Sequence, residues 1–420
     1  MPNPATLTAT AATRAIRAGT LSPADLLEAC LDRLAAREPA VQAMAFLDPA
    51  QARAATPRPG PLCGLPVGVK DVLDTADMPS EYNSPIWRGH RPRADAACVA
   101  WAKAAGAVVL GKTVTTEFAT RTPGPTTNPH DPARTPGGSS SGSAAGVAAG
   151  FFPLAFGTQT AGSVIRPAAF CGVVGYKPSF GLVNRMGMKL MSDSLDTVGV
   201  MARSVADCAL FAGAVSGREL GDPDVRPPSA PRIGLCRSPA WDRAGPETTA
   251  LFERVAAQLA RAGATLRDFD LPAEFDALEA APAVVMNNES ARALGWEMNT
   301  QRGQISPALR ERLEWGLAQP EAAVVESQAL FRFLQAGFAD LMGDFDILLT
   351  PSAGGEAPLG LEWTGDAGFN LIWTSLHVPC VTVPAGAGPN GMPLGVQVVA
   401  PRGKDRQALA WAAWVAAAVG

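Results

Sequence analysis

Two serines on glycine-rich turns stand twenty-four residues apart. Ser139 lies in Thr135-Pro136-Gly137-Gly138-Ser139-Ser140-Ser141-Gly142-Ser143, and Ser163 closes Gly157-Thr158-Gln159-Thr160-Ala161-Gly162-Ser163. Between them runs an apolar, small-residue stretch, residues 144–156. A flexible linker would be polar on both sides, so this pattern reads as two serine turns folded back on each other inside a core. A serine hydroxyl is a weak nucleophile at neutral pH and needs a positioned base. Glycines beside it let backbone N–H groups come close enough to hold an oxyanion.

The base is then the question. His90, His130 and His377 are isolated, with no H-E-x-x-H or Cys/His spacing, so neither a histidine scheme nor a metal is expected. Lys70 sits in residues 65–73, Leu-Pro-Val-Gly-Val-Lys-Asp-Val-Leu, where flanking valines predict a buried strand. Such a lysine can be an edge charge whose stem snorkels to water. Buried beside two serines, it would instead lose its proton more readily, because desolvation disfavours the ammonium. Unperturbed, only about one lysine in two thousand is neutral at pH 7, so the fold must supply the shift.

Residues 137–178, with Gly68-Val69-Lys70-Asp71, closely resemble the amidase signature family, whose members cut amide bonds with a Ser-Ser-Lys triad. The resemblance rests on Lys70, the Gly-Gly-Ser-Ser turn at 137–140, the turn ending in Ser163, and Pro-Ala-Ala-Phe-Cys-Gly-Val-Val-Gly-Tyr-Lys-Pro at 167–178. It extends more weakly over nearly the whole chain. It implies Ser163 as nucleophile, Ser139 as a bridging serine on a cis peptide, and Lys70 as base, with no metal and no cofactor. The backbone N–H groups of Thr160, Ala161 and Gly162 would form the oxyanion hole, where losing one donor typically costs about 100-fold or more in rate. The implied fold is α/β, a large mixed twisted β-sheet covered by helices on both faces.

This chain departs from the family pattern at Ala161, often glycine, and at Gln159, often aspartate, which makes Gln159 a candidate substrate-side residue. Arg166 stands three residues beyond Ser163. With Gly157-Thr158-Gln159-Thr160 and Gly111-Lys112-Thr113-Val114-Thr115-Thr116, it resembles the malonamidase branch and implies an arginine that grips a substrate carboxylate. A guanidinium fork suits a carboxylate bidentately. The plainer reading is a structural arginine bonding to carbonyls around the turn.

Two other motifs point elsewhere and are set aside. Residues 106–113 satisfy G-x-x-x-x-G-K-T, but Ala107 to Leu110 are strand formers where a phosphate loop needs exposed amides. Gly138-Ser139-Ser140-Ser141-Gly142 satisfies G-x-S-x-G, but a nucleophile elbow follows a hydrophobic strand and residues 126–136 are polar and broken by proline. Cys171, eight residues past Ser163 in an apolar setting, reads as a core thiol. Tyr82 and Trp87, in the irregular loop 74–93, either line a pocket or pack the loop down.

The 420 residues are 47% hydrophobic and 18% charged, enough for a large core. A net charge of −4 without a Lys/Arg cluster argues against nucleic-acid or anionic-membrane partners. Seven scattered cysteines without a C-x-x-C pair suit reduced thiols in a cytoplasm. The start, Met1-Pro2-Asn3-Pro4, has no signal-peptide pattern. Strands alternate with helices from end to end, predicting one α/β domain over residues 1–420 with its signature core at 65–215. A proline-rich linker is expected at 216–232 and a helical substrate-side segment at 273–345. The expected function is a cofactor-free amidohydrolase, a homodimer, acting on a small-molecule linear amide. The alternatives are a broad aryl/alkyl acylamidase, an amidotransferase A-type subunit, or a non-catalytic protein on the same fold.

Overall fold

The structure, a computed structural model, describes residues 3–225, 227 and 229–420. Its frame is one eleven-stranded mixed sheet. The strands are β1 Met44–Leu47, β2 Pro66–Lys70, β3 Val108–Thr113, β4 Leu154–Gln159, β5 Val174–Lys177, β6 Thr197–Ala202, β7 Arg232–Leu235, β8 Thr265–Asp268, β9 Ile347–Pro351, β10 Cys380–Ala387 and β11 Pro393–Val399. Their spatial order is β1-β3-β2-β4-β6-β5-β10-β11-β9-β7-β8. Strand β2 runs parallel to β3 and β4, whereas β4 and β6 are antiparallel. Every residue of β2 to β6 is buried. Successive side chains of a strand point to opposite faces, so both faces of this part of the sheet are covered.

Local chemistry explains the elements that carry the site. Ser22 caps the helix Pro23–Val41, its Oγ accepting from the Asp25 N–H at 3.0 Å. The apolar face of that helix, Leu26, Leu27, Cys30, Leu31 and Leu34, lies in the core. The helix Ser141–Ala149 is built almost wholly of small residues, and it packs on β2, β3, β4 and β6. Its closeness has a reason: a Cβ at Gly146 would stand 2.2 Å from the Phe152 ring. Helix and β4 thus form the hairpin between the two serine turns. A separate apolar cluster joins Ile165, Val285, Phe338 and Trp373, tying the helical segment after β8 to the second serine turn.

The helical segment expected at 273–345 contains Ala281–Ala293, Gly295–Thr300, Pro307–Leu317 and Glu321–Met342. Of the expected linker at 216–232, residues 226 and 228 lie outside the described residues; Leu220 within it is buried. Strand β1 begins only at Met44, because the preceding helix continues to Val41. Gly111, Lys112 and Thr113 are in β3, so the phosphate-loop pattern is strand rather than loop. Among the described residues no helix is long and apolar enough to cross a membrane.

Candidate active site

Lys70 ends β2 and is wholly buried. Its Nζ donates to Ser139 Oγ at 2.7 Å and to Thr158 Oγ1 at 2.8 Å, with the Thr158 carbonyl oxygen at 3.4 Å. No carboxylate among the described residues forms an ion pair with it. Desolvation therefore drives its pKa well below the ordinary lysine value, while the charge of Asp196 works in the opposite sense. A lysine left neutral can accept a proton from the hydroxyl it touches.

The Gly138–Ser139 peptide bond is cis. Gly137 before it has φ +80°, and a Cβ there would lie 2.8 Å from Pro167 Cα, so glycine is required on both counts. Ser163 lies beyond the end of β4, and its hydroxyl has no hydrogen-bond partner among the described residues. Behind it Gly162 is equally constrained: a Cβ would stand 2.4 Å from Asn370 Oδ1. The backbone N–H groups of residues 160–163 find no protein acceptor among the described residues. Four adjacent unpaired amides beside a serine are the donors an oxyanion needs.

Ser163, Thr160, Ala161 and Arg166 line one cavity of about 380 Å³. Thr160 is anchored from behind. Its Oγ1 donates to Asp196 Oδ1 at 2.5 Å, and Asp196 Oδ2 accepts from the N–H groups of Met191 and Ser192 at 2.7 and 3.0 Å. Burial raises the Asp196 pKa, and these hydrogen bonds pull against that rise.

Residues 25–409 match the amidase family. The chain belongs to that family. The amidase is 34% identical to the glutamyl-tRNA(Gln) amidotransferase A subunit of Chloroflexus aggregans, over 94% of this chain and 92% of that one. A solved amidase structure superposes with a TM-score of 0.89 at 30% identity, covering 99% of this chain and 100% of that one. The native peptide amidase from Stenotrophomonas maltophilia gives a TM-score of 0.83 at 28% identity, covering 98% and 96%. The mixed α/β fold and an amide-hydrolysing enzyme follow. The relatives do not single out the malonamidase branch suggested by Arg166, since they are an amidotransferase A subunit, an amidase and a peptide amidase.

In the amidase Lys70 and Ser139 are hydrogen-bonded to each other, and Thr160, Ala161, Ser163 and Arg166 line the cavity with Gly162 in the same turn. Arg166 joins the two groups through the Gly138 carbonyl oxygen, whereas Gln159 stands apart. That side chain is wholly buried, so Gln159 is not a substrate-side residue. Its Oε1 accepts from the N–H groups of Val164 and Ile165 at 2.8 and 3.0 Å, and its Nε2 donates to Thr374 Oγ1 at 3.0 Å. It satisfies donors at the start of the helix Ile165–Phe170 that would otherwise be orphaned. Arg166 shows both of its expected faces. Its Nη2 donates to the Gly138 carbonyl oxygen at 2.7 Å and to Thr364 Oγ1 at 3.2 Å, yet its buried Nε has no partner.

Ser140, centre of the G-x-S-x-G pattern, is buried between the N–H and carbonyl of Thr158 at 3.2 Å each. His377, the histidine that pattern would have needed, stacks on Phe180 instead. Tyr82 donates to Asp74 Oδ1 at 2.9 Å and Trp87 to Glu297 Oε1 at 2.9 Å, so both pack their loop and neither lines the Ser163 cavity. Burial pushes the Cys171 thiol upward, away from reactivity. Asp196 escaped sequence reasoning, as did Arg121, Asn287 and Arg312, which line the same cavity as Ser163. The only signal for Asp196 was a carboxylate directly before the apolar run of β6.

Proposed function

We propose that this amidase cleaves a small linear carboxylic amide through a Ser163 acyl-enzyme, giving a carboxylate plus ammonia or an amine. Ser163 Oγ attacks the carbonyl carbon while its proton passes through Ser139 to neutral Lys70. The developing oxyanion takes hydrogen bonds from the free N–H groups of the turn at Thr160, Ala161 and Gly162. The proton returns by the same relay to the leaving nitrogen, and water then cleaves the ester with the relay reversed. The observation that carries this reading is Lys70 Nζ at 2.7 Å from Ser139 Oγ, buried and without a carboxylate partner. The Ser163–Ser139 contact is absent from the resting site; catalytic hydrogen bonds of this kind tighten when substrate binds.

In the same reading the acyl group is malonamate-like, with a carboxylate held by the free edge of the Arg166 guanidinium. The support is the buried Nε without a partner beside the cavity that Ser163 lines. The assembly would be a homodimer in a cytoplasm, without nucleic-acid or membrane partners, in keeping with a net charge of −4.

Labelling with a phosphonofluoridate, followed by mass spectrometry of wild type and Ser163→Ala, tests the nucleophile. An adduct on Ser163 that vanishes in the variant is the expected result; an adduct on Ser140 or Cys171 overturns it. Rates with malonamate and with a neutral anilide then separate the carboxylate-holding reading from a broad acylamidase.

A second reading is favoured by the 34% identity to an amidotransferase A subunit. It has the same acyl-enzyme chemistry feeding ammonia to a partner protein. Full amidase turnover by the purified chain alone, at a homodimer mass in light scattering, would rule it out.

A further inference from the structure

Arg166 accounts for only part of the charge around the cavity. Four arginines line it, Arg121, Arg166, Arg243 and Arg312, against two carboxylates, Glu279 and Asp366. Both carboxylates are bridged to Arg243, at 2.9 Å and 3.5 Å. Arg121, Arg166 and Arg312 have no ion-pair partner among the described residues.

Arg312 is placed deliberately by the packing of two helices. Gly316 lets Pro307–Leu317 approach Ala281–Ala293 so closely that a Cβ there would stand 2.3 Å from the Asn287 carbonyl oxygen. One turn earlier Arg312 Nε donates to Asn287 Oδ1 at 2.8 Å, and its Nη2 meets only Met286 Sδ at 3.8 Å. A thioether is no counter-ion. The Asn287 side-chain oxygen is thereby occupied, which leaves its Nδ2, on the same cavity wall, as a further donor.

The three cations also feel one another. Burial and the charge of Arg121 bring the Arg312 pKa down to about 10; Arg166 is lowered chiefly by burial, with Asp366 opposing that fall and Arg121 adding to it. Like charges gathered around a cavity are unfavourable without an anion between them, most of all at Arg166, which is buried, and less at Arg121, which is exposed. The two carboxylates of the cavity are both bridged to Arg243, which leaves Arg121 and Arg312 without a directly paired anion among the described residues, a charge that a ligand can supply.

We propose that the amide substrate carries a second anionic group, bound by Arg312 and Arg121 with Asn287, in addition to the carboxylate facing Arg166. The substrate class is the monoamide of a tricarboxylic acid or a compound of like charge, its amide carbonyl at Ser163. This rests on the amidase reading given above and extends it to the far wall of the cavity.

The test compares propionamide, malonamate and the monoamide of tricarballylic acid at constant ionic strength, in wild type, Arg312→Gln and Arg121→Gln. Wild type should prefer the dianionic amide over malonamate by about tenfold or more in kcat/KM. Arg312→Gln should raise KM for the dianionic amide about tenfold to a hundredfold, relative to its effect on propionamide, with kcat changed much less. Equal losses on all three substrates would mark a structural role and overturn the proposal, as would a wild type indifferent to the second carboxylate. Arg121, an exposed residue, gives a variant that keeps the packing of the two helices. Binding without turnover gives an independent readout: tricarballylate should slow Ser163 labelling at lower concentration than malonate in wild type, and not in Arg312→Gln. Turnover of none of the three, with Ser163 unlabelled, would reject the amidase reading itself, whereas labelled Ser163 with no tricarballylate protection rejects only the second anion site.

Discussion

Two buried lysines on neighbouring parallel strands show how one residue type is given two different jobs. Lys70 on β2 is aligned with Thr113, and Lys112 on β3 with Val69, so they stand one position apart in the register. Both are wholly buried. Lys112 forms an ion pair with Asp71 at 2.9 Å and donates to Ser80 Oγ at 2.5 Å. Lys70 meets only hydroxyls and a carbonyl. Burial lowers the pKa of each, but for Lys112 the adjacent carboxylate resists the shift, while for Lys70 only the more distant Asp196 does. What separates Lys112 from Lys70, the proposed base, is thus a carboxylate within touching distance, not the depth of burial.

Exchanging each lysine for methionine gives the largest contrast. Lys70→Met removes the base and should cut kcat by about 10²- to 10⁴-fold, the usual share of general base catalysis, with circular dichroism unchanged. Lys112→Met leaves Asp71 buried and uncompensated, which costs about 3–5 kcal/mol of stability, seen as a lower urea midpoint, while the rate per folded molecule holds. The reverse pattern, a stability loss at Lys70 and a rate loss at Lys112, would break the comparison.

Next in size is the rescue. Lys112→Met combined with Asp71→Leu removes the pair together, and apolar replacement of a buried pair is often neutral or stabilising by about 1–4 kcal/mol relative to the intact pair, whereas breaking it costs about 3–5 kcal/mol. The double variant should therefore unfold at a higher urea concentration than Lys112→Met alone. No such partner exists for Lys70, so no second substitution should restore its activity.

The Lys70 side of this contrast also predicts how stability depends on pH. Lys70 has a lowered pKa in the folded state, so between that value and the ordinary 10.5 the unfolded chain binds a proton that the folded chain does not. Stability contributed at this site then rises with pH through that window. Lys70→Met should be more stable than wild type at pH 7, with the advantage shrinking as pH approaches 10.5. Urea unfolding at pH 7 and pH 9.5 measures it; an advantage that stays level or grows with pH would mean Lys70 is charged in the native protein.

What the sequence disclosed and what it hid divide along the same physical line. Lys70, Ser139 and Ser163 stood out because each is a polar residue set among glycines and valines, a local conflict that marks a candidate site, although Lys112 shows the same conflict resolved by a carboxylate. Gln159 was misread because its task, holding the N–H groups of Val164 and Ile165, depends on the turn that follows β4. The strand β4 itself read only as an apolar stretch, its length and pairing being set by β2 and β6. Arg312 lies in a helix with no motif at all, and it reaches the cavity only because Gly316 brings two helices together.

Asp196 offers the smallest and most diagnostic change. Its charge is what holds the Lys70 pKa up against burial, so Asp196→Asn should let that pKa fall further and move the rising limb of kcat/KM to lower pH. The fold can accept the change. An asparagine carbonyl can still take the N–H groups of Met191 and Ser192, and its amide can donate to Thr160 Oγ1, which then accepts where it formerly donated. One charge-assisted hydrogen bond behind the oxyanion turn becomes neutral, which should lower the plateau rate by only about fivefold, the worth of roughly 1 kcal/mol. A limb that moves to lower pH while the plateau barely drops would identify Asp196 as a tuner of the base. A limb that stays in place, with a plateau down by about a hundredfold, the cost of losing an oxyanion donor, would make it a support for Thr160 alone, and the proton acceptor would then owe nothing to the carboxylate behind it.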